Sequence, residues 1–273
     1  MNKKLLIASL CMSPLLLVSQ AQAIVIDGNL SDWGVTQGTG AAGWIPTAGI
    51  EHTIEDQNTA KLDPGYGGQA YDAEALYAKV LGNTLYIALA TGHNPNTIHN
   101  PSANSYGAGD FAIDFGKDGS YEVGINFQHM TLNGKETFGV EGGVYNNVQW
   151  ALGLWDANGN HNPGNPDPLH PTHLLDGDLL GMATLAYTTT GATGYGQWSG
   201  HRHYFYEISL NLDLLDTAGW DGDPFNIHWT QNCANDSIIV DPPGGAAVPE
   251  PATLALIPLG LLGMLALRRR KSA

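Results

Sequence analysis

The chain has 273 residues, with 26 Asp and Glu against 11 Lys and Arg, and a formal net charge of −15. So acidic a surface repels phosphate backbones and anionic lipid, which argues against a nucleic-acid partner. With 9% aromatic residues, 35 Gly and 15 Pro, the chain has the apolar mass for a core but too many breakers for long helices.

In chain order, the first segment is an export signal. Lys3 and Lys4 precede an apolar stretch over residues 5–18, and Ala21-Gln22-Ala23 supplies small residues for a signal peptidase. Residues 1–23 therefore read as a signal peptide cut after Ala23, with the mature chain starting at Ile24. Cys11 is no lipidation site, because Leu10 stands where a small residue is required. The mature part keeps Lys61, Lys79, Lys117, Lys135 and Arg202 against 25 acidic residues, a net charge near −20. Its one cysteine, Cys233, leaves no partner for a disulfide within the chain; a lone Cys is either a small buried hydrophobe or a free reactive thiol, and its apolar, strand-like surroundings favour the first.

Residues 76–80 and 84–90 around Gly82-Asn83 predict a hairpin, and residues 110–115 and 121–127 around the turn 117–120 predict another. Segments 138–155, 181–187, 203–210 and 225–229 complete about eight or nine strands, with one helical turn over 212–218. Short strands with turn chemistry between them predict an all-β domain over residues 24–241. The expected form is an antiparallel β-sandwich of jelly-roll or immunoglobulin-like type. Residues 242–248 are rich in Pro, Gly and Ala and read as a linker.

The last segment, 249–273, has three parts. Pro249-Glu250-Pro251 is followed by 16 apolar residues and then by Arg268, Arg269, Arg270 and Lys271. The apolar run is just short of the ~17–25 residues of a spanning helix, and the basic cluster keeps its end on the cytoplasmic side. This end resembles the PEP-CTERM sorting signal of Gram-negative bacteria, which the membrane protease exosortase recognises and removes. The resemblance implies a chain anchored in the inner membrane by a transmembrane helix until it is cut. It is then placed at the cell surface or in the extracellular matrix.

The mature start, Ile26-Asp27-Gly28-Asn29-Leu30-Ser31-Asp32-Trp33, resembles the opening of carbohydrate-binding module family 9-like and DOMON-like sandwiches. Tyr71-Asp72 with Leu85-Tyr86-Ile87-Ala88, Gly109-Asp110 with Asp114, and Tyr206-Glu207 with Leu210 resemble later landmarks of the same scheme, in order. The segment from Trp229 and Thr230 through Cys233 to Asn235-Asp236 resembles a strand found in exosortase-sorted surface proteins. Its physical reading is that Trp229 and Cys233 pack the core while Asn235-Asp236 turns the chain.

Several groups could carry chemistry. Asp156, Asn158, Asn160 and Asn162 offer oxygens at alternate positions, with Asp167 eleven residues after the first, a spacing that suits Ca²⁺. His161 stands where an EF-hand needs Gly, and Pro163 and Pro166 interrupt the pattern. Asp110, Asp114 and Asp118 form a second acidic set. His201 with His203, and His161 with His170 and His173, have spacings open to zinc or copper. Trp33 and Trp229 read as core, whereas Trp44, Trp150, Trp155 and Trp198 lie near Gly-rich turns where an indole could stack on a sugar ring. No nucleophile elbow, metalloprotease helix or phosphate loop is present.

The expectation is a non-catalytic surface or matrix protein that binds exopolysaccharide, with exosortase as processing partner, Ca²⁺ as the candidate cofactor and no nucleic-acid partner. One alternative is a structural or adhesive protein without a small ligand, and the other a DOMON-type haem or redox domain.

Overall fold

A computed structural model describes residues 23–38, 40–56, 68–127, 131–132, 135–136 and 138–242. Residues 1–22 of the expected signal peptide, the residues of the linker after Pro242 and the sorting tail lie outside the described residues. Thirteen strands are described: β1 (Glu51–Ile54), β2 (Ala73–Leu81), β3 (Thr84–Thr91), β4 (Phe111–Phe115), β5 (Val123–Ile125), β6 (Thr131–Leu132), β7 (Lys135–Glu136), β8 (Gly143–Leu152), β9 (Pro171–Met182), β10 (Thr184–Tyr187), β11 (Tyr204–Asn211), β12 (Phe225–Thr230) and β13 (Ser237–Val240). One short helix, α1 (Asp213–Thr217), follows β11.

Eleven strands form two sheets, β1-β2-β3-β11-β10 and β13-β12-β4-β5-β8-β9, and β6 pairs with β7. Every pairing between neighbours is antiparallel. Both predicted hairpins are present: Leu81 pairs with Thr84 across Gly82-Asn83, and β4 pairs with β5 across the 116–122 turn.

Alternation along the strands builds the core. Leu76 and Ala78 of β2, Leu85, Ile87 and Leu89 of β3, and Tyr206, Ile208 and Leu210 of β11 point inward from the first sheet. They meet Phe111, Ile113, Val123, Ile125, Phe225, Ile227 and Trp229 from the second. Each large side chain buried there contributes about 1.5–3 kcal/mol. The predicted sandwich is thus present, and Trp229 and Cys233 are fully buried as expected.

The outer face of the first sheet is also covered. Ala75, Tyr77, Ala88, Ala90 and Phe205 pack under Ile24, Leu30, Trp33, Val35, Trp44 and Ile50 of the N-terminal segment. This explains why β3 reads as an unbroken apolar run, since both of its faces are dry.

One carboxylate clamps that covering segment. Glu207, on the outward face of β11 and 0% exposed, accepts hydrogen bonds from the backbone N–H of Asp27 (3.0 Å), Gly28 and Asn29 (3.0 Å) and from Trp33 Nε1 (2.7 Å). Burial raises the Glu207 carboxyl above its ordinary range, and the donors from Trp33, Asp27 and Gly28 pull it back in part. Gly28 has φ +81°, and a Cβ there would come within 3.2 Å of the Tyr187 carbonyl carbon. The backbone can therefore wrap the carboxylate only with glycine at this position.

Asp110 plays a similar part on the second sheet. It accepts Phe127 N–H and Leu174 N–H, each at 2.9 Å, and so ties β4 to the end of β5 and to β9. Gly109 passes so close to Thr230 that a Cβ would collide with its carbonyl oxygen.

The structure corrects one assignment. Residues 171–182, expected as a Pro- and His-rich loop running into a strand at 181, form the twelve-residue edge strand β9. Pro171 is its first residue, the one place in an edge strand where a missing N–H costs nothing. Strands β1, β6, β7 and β13 are also additions.

Glu207→Ala leaves the N–H groups of Asp27 and Gly28 and the Trp33 indole N–H without an acceptor, while Asn29 N–H keeps Asp27 Oδ1 at 2.9 Å. It should lower unfolding free energy by about 3–5 kcal/mol, read as a shifted denaturant midpoint at unchanged slope.

Candidate functional site

Loops at one end of the sandwich enclose a cleft of about 410 Å³ lined by Tyr71, Asn104, Tyr106, Leu154, Trp155, His161 and Asn235. That volume lies within the range of small-ligand sites. The 3₁₀ turn Gly68–Tyr71 delivers Tyr71 just before β2. A second 3₁₀ turn, Pro101–Ala103, ends in Asn104 with a left-handed backbone, φ +53°. Tyr106 donates its N–H to Tyr71 Oη at 3.4 Å, and the two rings stand edge to face, centroids 6.5 Å apart. Opposite them Trp155 bridges His161 through the backbone, with edge-to-face rings at 5.5 Å. Trp155 Nε1 donates to Asn235 Oδ1 at 2.9 Å. Asn235 comes from the turn between β12 and β13, so one hydrogen bond fixes the indole against the sandwich. Burial raises both phenols, which stay neutral and able to donate at ordinary pH.

The four candidate tryptophans separate. Trp155 lines the cleft. Trp44 is 0% exposed, stacked on Tyr195 at 5.4 Å and covered by the N-terminal layer. It belongs to the core and presents no face to a ligand, because the Gly-rich turn beside it folds inward. Trp150, on β8, donates to the Tyr121 carbonyl at 3.3 Å. Trp198 stacks on His201 at 5.9 Å. Neither lines the cleft.

The candidate calcium loop is braced by its own amides. Asp156 Oδ1 accepts the N–H of Asn158 (2.9 Å) and Asn160 (3.0 Å), while the Asn160 and Asn162 side-chain amides turn their nitrogens to the same carboxylate at 3.3 and 3.4 Å. These bonds, the Asn160 backbone first, hold the Asp156 carboxyl below its ordinary range. Asp167 caps Leu169 N–H at 3.0 Å and stands 3.8 Å from His170 Nε2. Asp114 caps Asp118 N–H (3.1 Å) and Gly119 N–H (2.8 Å), and Asp118 caps Ser120 N–H (2.8 Å).

The histidines do not converge as their spacing suggested. His203 is buried while His201 is exposed and bonded to Gln69. His161 is in the cleft, His170 lies 5.7 Å from His228, and His173 meets Asn232 Oδ1 at 3.0 Å. Burial pushes the Cys233 thiol up to about 12, so it is an unreactive core group.

Sequence reasoning missed Tyr71, Asn104, Tyr106 and Asn235 as cleft residues. Tyr71 and Asn235 were nonetheless marked, because both sit inside segments singled out by resemblance. Just beneath the cleft each is followed by a buried acid, Asp72 and Asp236.

Those acids dominate the electrostatics. Burial, then the charges of Glu74, Glu55 and Asp56, pushes Asp72 up to about 9, and burial pushes Asp110 up to about 7 despite its two donors. Burial pushes His93 and His173 down to about 4. A raised carboxyl contributes stability at low pH that is lost as pH rises through its folded value. A lowered imidazole does the reverse, and its effect is complete above about 6.5. The two sets oppose each other below pH 6.5, and only the carboxyls act above it. In EDTA-treated buffer the unfolding free energy, read from the denaturant midpoint, should fall between pH 6.5 and pH 9 by up to about 3 kcal/mol. A flat or rising midpoint would contradict this assignment.

Fold and site together define an antiparallel β-sandwich with an aromatic, amide-edged cleft at one end. At the other extreme of the sequence, residues 247–271 match the PEP-CTERM protein-sorting motif. The chain is therefore an exosortase-sorted surface protein, secreted and held in the membrane before its tail is removed. The comparison with curated proteins gave no match.

Proposed function

We propose that the processed domain is a non-catalytic surface or matrix protein that binds exopolysaccharide in the cleft bounded by Tyr71, Tyr106 and Trp155. The observation that carries this reading is the lining itself. Three aromatic side chains surround a volume suited to one or two sugar rings, and Asn104, Asn235 and His161 supply donors and acceptors for hydroxyl groups. Among the described residues the cleft has no Lys or Arg in its lining, which favours neutral or cationic sugars over polyuronates. The resemblance to carbohydrate-binding module family 9-like sandwiches points the same way. Weak single sites of this kind gain strength through many copies on one polymer or one surface.

Retention on purified matrix polysaccharide, with a reducing-end assay in parallel, tests the reading. Trp155→Ala should weaken retention by about tenfold or more, since a buried aromatic contact is worth at least ~1.4 kcal/mol. Trp150→Ala should leave it unchanged. Failure to bind any glycan would favour the structural, adhesive alternative, and released oligosaccharide would make the protein an enzyme.

The same reading requires processing at both ends. Intact mass of the protein from its native surface should show a start at Ile24 and loss of residues 252–273. Recovery of Arg268 to Lys271 on the surface form would overturn it.

A further inference from the structure

The two ends of the sandwich carry different things. Tyr71 comes just before β2, Tyr106 just before β4 and Asn235 just after β12, so the cleft caps the end where β2 and β4 start and β12 finishes. The opposite end holds the Gly82-Asn83 turn, the turn after β4 and α1. Asn83 Nδ2 donates to Asp213 Oδ1 at 2.8 Å and so fixes α1 there. Strand β13 runs from the first end towards the second: Ser237 pairs with Thr230 beside the cleft, and Val240 with Ile227 further along. Asp241 then meets Lys117, in the turn after β4, at 3.1 Å. The chain thus leaves the sandwich on the side remote from the cleft. The nine residues of β2 put the two ends about 30 Å apart.

The tether beyond this exit is short. Residues 242–248 separate it from Pro249, which opens the sorting motif, and seven residues reach about 25 Å even when fully extended. While the tail is in the membrane, the exit end is therefore held nearer to the lipid than the sandwich is long. Charge decides how the domain then stands. The mature part carries a net charge near −20, so laying a broad face on anionic lipid is disfavoured. Asp118, Asp213, Asp216, Asp221, Asp223 and Asp241 are exposed at the exit end, where Lys117 is taken by Asp241. Their repulsion acts over a Debye length of about 8–10 Å, a gap the tether can span.

We propose that the anchored chain stands on the membrane by its exit end, with the cleft of Tyr71, Tyr106 and Trp155 facing outward and open to polymer before the tail is cut. The capture of polymer rests on the glycan-binding reading above; the orientation does not. Binding then precedes sorting, and cutting the tail frees a domain that already holds its polymer.

The test uses the chain with its tail uncut, made without exosortase and placed in vesicles of phosphatidylethanolamine and phosphatidylglycerol in equal parts. A headgroup dye in the vesicles accepts energy from a donor dye on Ala103→Cys, exposed beside the cleft, or on Asp216→Cys, exposed on α1. Cys233 is buried and takes no label. With the two ends about 30 Å apart, transfer should be at least about twofold stronger from residue 216 than from residue 103. Equal or reversed transfer would overturn the orientation. The same vesicles, without dye, should retain matrix polysaccharide as well as the released domain does. Retention by the released domain alone would overturn the open cleft. Retention by neither would overturn the glycan-binding reading, while the orientation is decided by the dyes.

Discussion

The buried carboxylate of Glu207 is the contact on which the layered structure depends. It gathers three consecutive backbone N–H groups and an indole N–H from a segment that has no strand of its own. The apolar side chains of that segment would otherwise have only non-directional attraction to hold them on the sheet. The carboxylate supplies direction and register, and its desolvation is tolerable because four donors replace the lost water. Trp33, fixed at its Nε1, lies 6.2 Å from the Tyr77 ring, and Tyr77 Oη donates to the Trp44 carbonyl at 2.7 Å. One carboxylate thus sets Trp33 against Tyr77, whose hydroxyl in turn holds the Trp44 backbone.

The same device recurs with different results. Asp110 has two backbone donors and works as a splice between strands. Asp236, in the turn between β12 and β13, accepts Ala73 N–H and Ser237 N–H and so ties that turn to the start of β2. Buried acids whose oxygens accept backbone N–H groups thus hold separate stretches of this chain together.

Much of this was written in the sequence in a form that could be read, though not always for the right purpose. Strand alternation located both hairpins, and the Ile26-to-Trp33 and Tyr206-Glu207 landmarks were identified by resemblance. The structure shows that these last two are halves of one interaction, Glu207 gripping Gly28 and Trp33. Spacing could not reveal that pairing, because 179 residues separate Gly28 from Glu207. Trp44 and Trp155 have similar Gly-rich neighbours, yet one is core and one lines the cleft. The difference arises from what packs above them, a tertiary fact. The His-rich stretch that begins β9 misled for a similar reason, since its pairing with β8 overrides the local signature of Pro and His. Asn235-Asp236 does turn the chain as read, but its side chains also reach two separate environments that no local pattern specifies.

The clamp has a bearing on how the protein emerges from the cell. An exported chain crosses the membrane N-terminus first, so the segment from Ile24 to Ile50 arrives long before β11 exists on the far side to receive it. Closing a loop of that length is slow to reward, because its entropic cost is met only when β11 is in place. Until then the layer has only its apolar contacts with β2 and β3, and Trp33 Nε1 lacks the acceptor that fixes it. The polypeptide stays soft and threadable through most of its passage. It hardens once the carboxylate on the eleventh strand has crossed.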